Sequence, residues 1–143
     1  VEKASVVILE NEIAKIEQGL LVLLGIEIND AKEDALWLAS KIATLRIFSD
    51  EKGVMNKSVT ELGGEVIVVS QFTLHAKTKK GNRPSYIKAA RPEQAIPLYE
   101  QFKKNLSKAI ASEVQSGEFG TDMKVSLIND GPVTIIIDTK NKD

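Results

Sequence analysis

The chain has 143 residues, a formal net charge of −1 from 19 Lys and Arg against 20 Asp and Glu, and no cysteine. This is single-domain size, with residues 1–143 read as one unit able to bury a core without staples, and the absence of cysteine excludes disulfides, thiolate zinc sites and cysteine nucleophiles. The longest apolar stretch, Leu20 to Ile26, falls far short of the roughly 20 residues that span a bilayer, so no membrane role and a cytoplasmic location are expected.

The chain opens as strands: Ala4 to Leu9, then Glu12 to Gln18 after a turn at Glu10-Asn11, then the apolar run Leu20 to Gly25, which reads as a strand buried on both faces. From Asn29 the period changes. Asp30 caps a helix with Glu33 three residues on, and Ala35, Leu38, Ile42 and Leu45 follow at helical spacing, with Trp37 off the stripe in a core or interface role. Ser49 to Gly53 and Gly63-Gly64 are turns, and the β-branched run Glu65 to Ser70 is a buried strand ending at a polar edge. A second helix fits Pro92 to about Ser112, with Ala95, Leu98, Phe102, Leu106 and Ala109 on one face; Pro97 predicts a later start or a kink. Lys124 to Ile128 and Val133 to Asp138 read as closing strands around the turn Asn129-Asp130-Gly131-Pro132. The order predicts an α/β or α+β sandwich, a mixed sheet with two helices packed on one side.

Ordinary catalytic parts are scarce. His75 is the lone histidine, so no multi-histidine metal site exists, and neither a metal nor a cofactor is expected. Along an extended strand His75 would share a face with Thr73 and stand about 16 Å from Ser70, which leaves only Thr73 as a partner for it. Lys77, Lys79, Lys80, Arg83, Lys88 and Arg91 form a basic stretch with no acidic residue among them, either a solvated loop or a surface for nucleic-acid phosphates. Two polar segments follow apolar strands: Ser70-Gln71-Phe72-Thr73-Leu74 and Asn129-Asp130-Gly131-Pro132-Val133-Thr134.

These two segments resemble the signature motifs of the D-aminoacyl-tRNA deacylases. Leu45-Arg46-Ile47-Phe48-Ser49-Asp50, Gly81-Asn82-Arg83-Pro84-Ser85-Tyr86 and Phe119-Gly120-Thr121-Asp122-Met123 also look like family segments, in the family's order and spread over nearly the whole chain. The resemblance implies a sandwich of β/β/α layers and a homodimeric hydrolase with its active site at the subunit interface. Its partner is the acceptor end of aminoacyl-tRNA, and its reaction is cleavage of the ester that holds a D-amino acid, or misattached glycine, on the terminal adenosine. Alternatives are a non-catalytic module that binds the same RNA end and a relative with a trans proline that acts on L-aminoacyl-tRNA.

On this resemblance a Gly-cis-Pro gate maps onto Gly131-Pro132, with Asn129 beside it, and enters the other subunit's site, where carbonyl oxygens hold the substrate amino group and leave no room for an L side chain. Proline makes a cis bond accessible, at about 0.5–1 kcal/mol uphill against roughly 2.5–4 for other residues. Ser70, Gln71, Phe72 and Thr73 form the catalytic segment, the N–H groups of Phe72 and Thr73 meeting the oxyanion. The Thr73 hydroxyl is a nucleophile or a positioning group; positioning suits the shortage of bases, with the ribose 2′-hydroxyl assisting. Phe119 and Met123 correspond to positions around the adenine. Family members carry a strand ending in Gln-Arg ahead of the position of Val1, and Asn82 and His75 differ from the residues common at their positions.

Overall fold

The computed structural model describes residues 1–143. Strand β1 (Lys3–Ile8) pairs antiparallel with β2 (Asn11–Ile16) and with β8 (Lys124–Ile128), giving a sheet of order β2-β1-β8. The turn between the first two falls on Leu9 and Glu10, at φ 48° and 69°. Two successive positive φ values match the right-handed twist of a tight hairpin, and they place the turn one residue before the predicted one.

The second sheet is parallel, with order β3 (Gly19–Leu24), β6 (Glu65–Ser70), β7 (Gln115–Ser116). Its central strand β6 divides the core. Val66 and Val68 face helices α1 (Lys32–Thr44) and α3 (Pro92–Ile110), joining a cluster with Tyr99, Phe102 and Leu106. Ile67 and Val69 point the other way, into a cluster with Ala4, Val6, Ala14 and Ile16 of the first sheet. Alternation along one strand therefore builds the sheet, sheet, helix layering that the family resemblance implied. Between the helical and strand segments lie the hairpin β4 (Phe48–Ser49) and β5 (Met55–Lys57), and the short helix α2 (Val59–Leu62). The sequence reading missed α2, which Ser58 and Glu61 cap reciprocally.

Strand β3 is not buried on both faces. It lies at the edge of its sheet, and Leu23 is 45 % exposed. Its first residue must be glycine, because a Cβ at Gly19 would lie 1.8 Å from the Glu65 carbonyl oxygen.

The cap of α1 is shifted one residue from prediction. Ala31 is the N-cap, and the Asp34 carboxylate accepts its N–H at 2.9 Å, whereas Asp30 turns back to accept from Glu27 N–H, also at 2.9 Å. Trp37 is half-buried, with Lys142 Nζ 4.4 Å and Lys41 Nζ 5.5 Å from its ring centroid. Helix α3 starts at Pro92 and runs unbroken through Pro97, with neither a later start nor an interruption. Pro97 and Glu93, whose carbonyl the missing N–H would have met, are both exposed, so water can satisfy that oxygen. The buried stripe is Ala95, Tyr99, Phe102, Leu106 and Ile110, and Ala109 is exposed.

Residues 133–138, predicted as a closing strand, form no strand in the single chain. Ile135 is 48 % and Ile136 93 % exposed. A β-prone, apolar segment without a neighbouring strand has nothing to pair with, and its periodicity alone does not make a ladder. By contrast the outer edge of β2 is occupied: the Gln115 side chain accepts from Lys15 N–H and donates to Lys15 C=O, both at 2.8 Å. No helix is long and apolar enough to cross a membrane.

Candidate active site

Strand β6 delivers the first signature segment. Ser70 pairs with Leu24, and Gln71 N–H extends the ladder by one bond, 2.8 Å to the Leu24 carbonyl. Gln71 then leaves the strand at φ −143°, ψ 79°, and Phe72–His75 coil into a 3-10 turn. The turn is closed by Leu74 N–H to Gln71 C=O at 3.2 Å and Ala76 N–H to Thr73 C=O at 3.1 Å. The first N–H groups of such a turn have no partner within it, which leaves those of Phe72 and Thr73 available. The Gln71 amide donates to the Thr73 hydroxyl at 2.5 Å, so this oxygen is held by its own segment.

The 3-10 turn corrects the extended geometry on which the pairing of His75 with Thr73 depended. With three residues per turn, positions two apart no longer share a face. His75 instead faces a cavity of about 300 Å³ that is also lined by Leu23, Asp30 and Asp138. Sequence reasoning also missed Gly25. A Cβ there would lie 3.1 Å from both the His75 ring and Leu74 Cβ, and 3.2 Å from the Gln71 carbonyl oxygen, so the 3-10 turn seats directly on this glycine. The available signal was a glycine ending the apolar run Leu20 to Leu24.

The second segment is a self-contained exposed loop. Asn129 binds across it, donating to the Thr134 hydroxyl at 3.1 Å and accepting from Val133 N–H at 3.3 Å. The Gly131-Pro132 peptide bond is cis, and Gly131 has φ 135°, in the region that favours glycine. No hydrogen bond joins this loop to residues 70–73 of the same chain. Leu74, Asn129, Val133 and Thr134 do share the wall of a cavity of about 380 Å³ with β3 and Leu127.

Phe119 and Met123 are less free than a binding platform would be. Phe119 packs edge-on against Tyr99 with centroids 5.7 Å apart, and Met123 lies over Gly117 and packs against the cluster of Val6 and Ile67. The basic residues Lys77, Lys79, Lys80, Arg83, Lys88 and Arg91 are all exposed, and reciprocal hydrogen bonds between Lys77 and Ser85, 2.8 and 3.0 Å, close the loop that carries three of them.

Acidic groups gather at the start of α1, on the wall of the cavity that His75 faces. Burial raises the Asp30 carboxyl above its ordinary value. Burial opposes ionisation of Asp34 too, but hydrogen bonds from Ala31 N–H and Lys140 outweigh it and hold this carboxyl low. Lys140 reaches Asp34 at 2.9 Å and Asp30 at 4.0 Å. No three acidic or histidine side chains converge closely enough to hold a metal ion.

The family model of D-Tyr-tRNA(Tyr) deacylase matches residues 1–138. The chain belongs to the D-Tyr-tRNA(Tyr) deacylase family. A D-aminoacyl-tRNA deacylase of Bacteroides fragilis is 63 % identical over 143 residues, all of this chain and 95 % of the relative. One of Flavobacterium psychrophilum is likewise 63 % identical, with the same coverage of each chain. Among solved structures, the c-Myc DNA Unwinding Element Binding Protein superposes with a TM-score of 0.89 at 40 % identity, over 94 % of this chain and 91 % of the other. A probable eukaryotic D-amino acid tRNA deacylase has the same fold, with a TM-score of 0.75 at 14 % identity over 87 % and 88 % of the two chains. Deacylases of this family are hydrolases, and the resemblance read from the two signature segments is borne out over almost the full length.

Proposed function

We propose that this deacylase, acting as one domain over residues 1–143, hydrolyses the ester that joins a D-amino acid to the terminal adenosine of tRNA, and clears misattached glycine in the same way. Its working form is a homodimer in which Gly131-Pro132 of one subunit enters the site formed by Ser70, Gln71, Phe72 and Thr73 of the other. The observation that carries the chemistry is the pair of uncommitted N–H groups on Phe72 and Thr73, at the start of a turn whose hydroxyl is tied by Gln71. Water adds to the ester carbonyl, charge develops on the carbonyl oxygen, and these two donors stabilise it where no titrating side chain is needed. Collapse breaks the bond to the ribose oxygen, which leaves with a proton. The Thr73 hydroxyl, already an acceptor for Gln71, serves as a positioning group and not as a nucleophile, since no base stands beside it.

The dimer is supported by where the apolar surface is left over. Leu23, Leu127, Ile128, Ile135 and Ile136 are all more than 40 % exposed and border the loop that carries Gly131. Exposed apolar area of this kind marks an association surface. The exposed basic residues from Lys77 to Lys88 suit acceptor-end phosphates, a contact that weakens with salt and reads no sequence. Phe119 and Met123 would meet the adenine through the ring and sulfur surface their core contacts leave free.

The test is hydrolysis of D-Tyr-tRNA against L-Tyr-tRNA. Rapid release of D-tyrosine with L-tyrosyl-tRNA left intact is expected; equal cleavage of both, or of neither, overturns the proposal. Thr73→Ala should keep most of the activity, and complete loss with tRNA binding intact would make Thr73 the nucleophile.

A further inference from the structure

Phe72 carries one of the two proposed oxyanion donors, yet its side chain is 56 % exposed and has little core to hold it. Its aromatic neighbour is Tyr86, with centroids 5.0 Å apart and planes at 75°. An edge-to-face pair of this geometry is attractive and fixes ring orientation. Tyr86 is itself anchored on both sides. Upstream, Ser85 exchanges two hydrogen bonds with Lys77, directly after the 3-10 turn. Downstream, Ala89 N–H binds the Tyr86 carbonyl at 3.0 Å, Ile28 N–H binds Lys88 C=O at 3.1 Å, and Ala90 N–H binds Ile26 C=O at 2.9 Å. The backbone of Tyr86 is thus fixed on both sides and sets its ring against a side chain that is more than half exposed, and the backbone of Phe72 turns with that side chain.

We infer that Tyr86 is a positioning residue for the deacylase reaction: its ring holds Phe72 and so aims the N–H groups of Phe72 and Thr73. This rests on the proposed role of those donors. The contact is made by the ring and not by the hydroxyl, so phenylalanine replaces it and alanine does not.

The experiment compares Tyr86→Ala and Tyr86→Phe in full-length protein by steady-state kinetics on D-Tyr-tRNA and by the backbone amide NMR signals of Phe72 and Thr73. Tyr86→Ala is expected to lower kcat by about tenfold or more, because donor misplacement acts on the transition state, with KM nearly unchanged. Its two amide signals should move while those of β6 stay. Tyr86→Phe should restore both readouts. An unchanged kcat in Tyr86→Ala, unmoved amide signals, or an equal defect in Tyr86→Phe overturns the inference. If the wild-type protein leaves D-Tyr-tRNA intact, the functional reading fails, and the amide signals still decide whether Tyr86 holds the turn.

Discussion

Strand β6 and the segment 129–137 are both rich in β-branched residues, and they end in opposite circumstances. From Val66 to Val69 every β6 side chain is at most 2 % exposed, because a sheet lies on one face and helices on the other. Ile135 and Ile136 have similar chemistry and stand in the open. Burial is set by what neighbours the fold supplies and not by the residue. The first region stores the stability of the single chain, and the second leaves its apolar surface in solvent.

The comparison can be broken most strongly in the core. Phe102→Ala, which empties the layer between β6 and the helices, is expected to cost about 3–5 kcal/mol in chemical denaturation. Gly131→Ala should reverse the pattern. A Cβ there would meet Val133 Cγ2 at 2.9 Å in a φ region unsuited to alanine, so kcat/KM on D-Tyr-tRNA should fall by about 100-fold while the denaturation midpoint of the core moves little. Ile136→Asp should shift sedimentation from dimer to monomer, with the unfolding free energy of the chain altered by only about 0.5 kcal/mol.

The smallest effect concerns the anchor of the segment's far end. Asp34 has a lowered carboxyl pKa in the fold, so its contribution is complete above the unfolded value and is lost as pH falls through the folded one. Lys140→Met, which removes its partner, should lower stability at neutral pH only slightly, since solvent screens the lysine, and the difference should vanish in acid. Asp30 has the opposite sign: its raised pKa makes the fold lose stability as pH rises through the carboxylate range. Urea titrations at several pH values separate the two.

What could be read in advance follows the same division. The longer strands and the two long helices were legible because local periodicity and the core agree there. The buried stripes were legible only in part: Ala35, Ile42, Ala95, Phe102 and Leu106 are buried, and Tyr99 and Ile110 take the places expected of Leu98 and Ala109. The strand expected at 133–138 does not form because apolar, β-prone periodicity supplies no ladder partner, and none lies beside it in the chain. Pro97 does not delay the start of α3, because its cost depends on solvent reaching Glu93, which spacing does not reveal. In the site, Ser70 to Thr73 and Asn129 to Thr134 were legible through resemblance, whereas the 3-10 turn was not. That turn depends on Gly25, distant in sequence, letting the chain fold against it.

The Gln115 amide bears on how the sheet could grow. An exposed strand edge is a template for any extended chain, and β2 would be one had its main chain been left bare. A side chain of the same molecule answers Lys15 with the bonds a neighbour would have brought. The β2 edge is thereby met at Lys15, and exposed apolar surface lies on the other flank, around β3 and Leu127. In the proposed homodimer that flank receives a second copy, and a like-to-like contact about a two-fold axis closes at two instead of running on as a fibre.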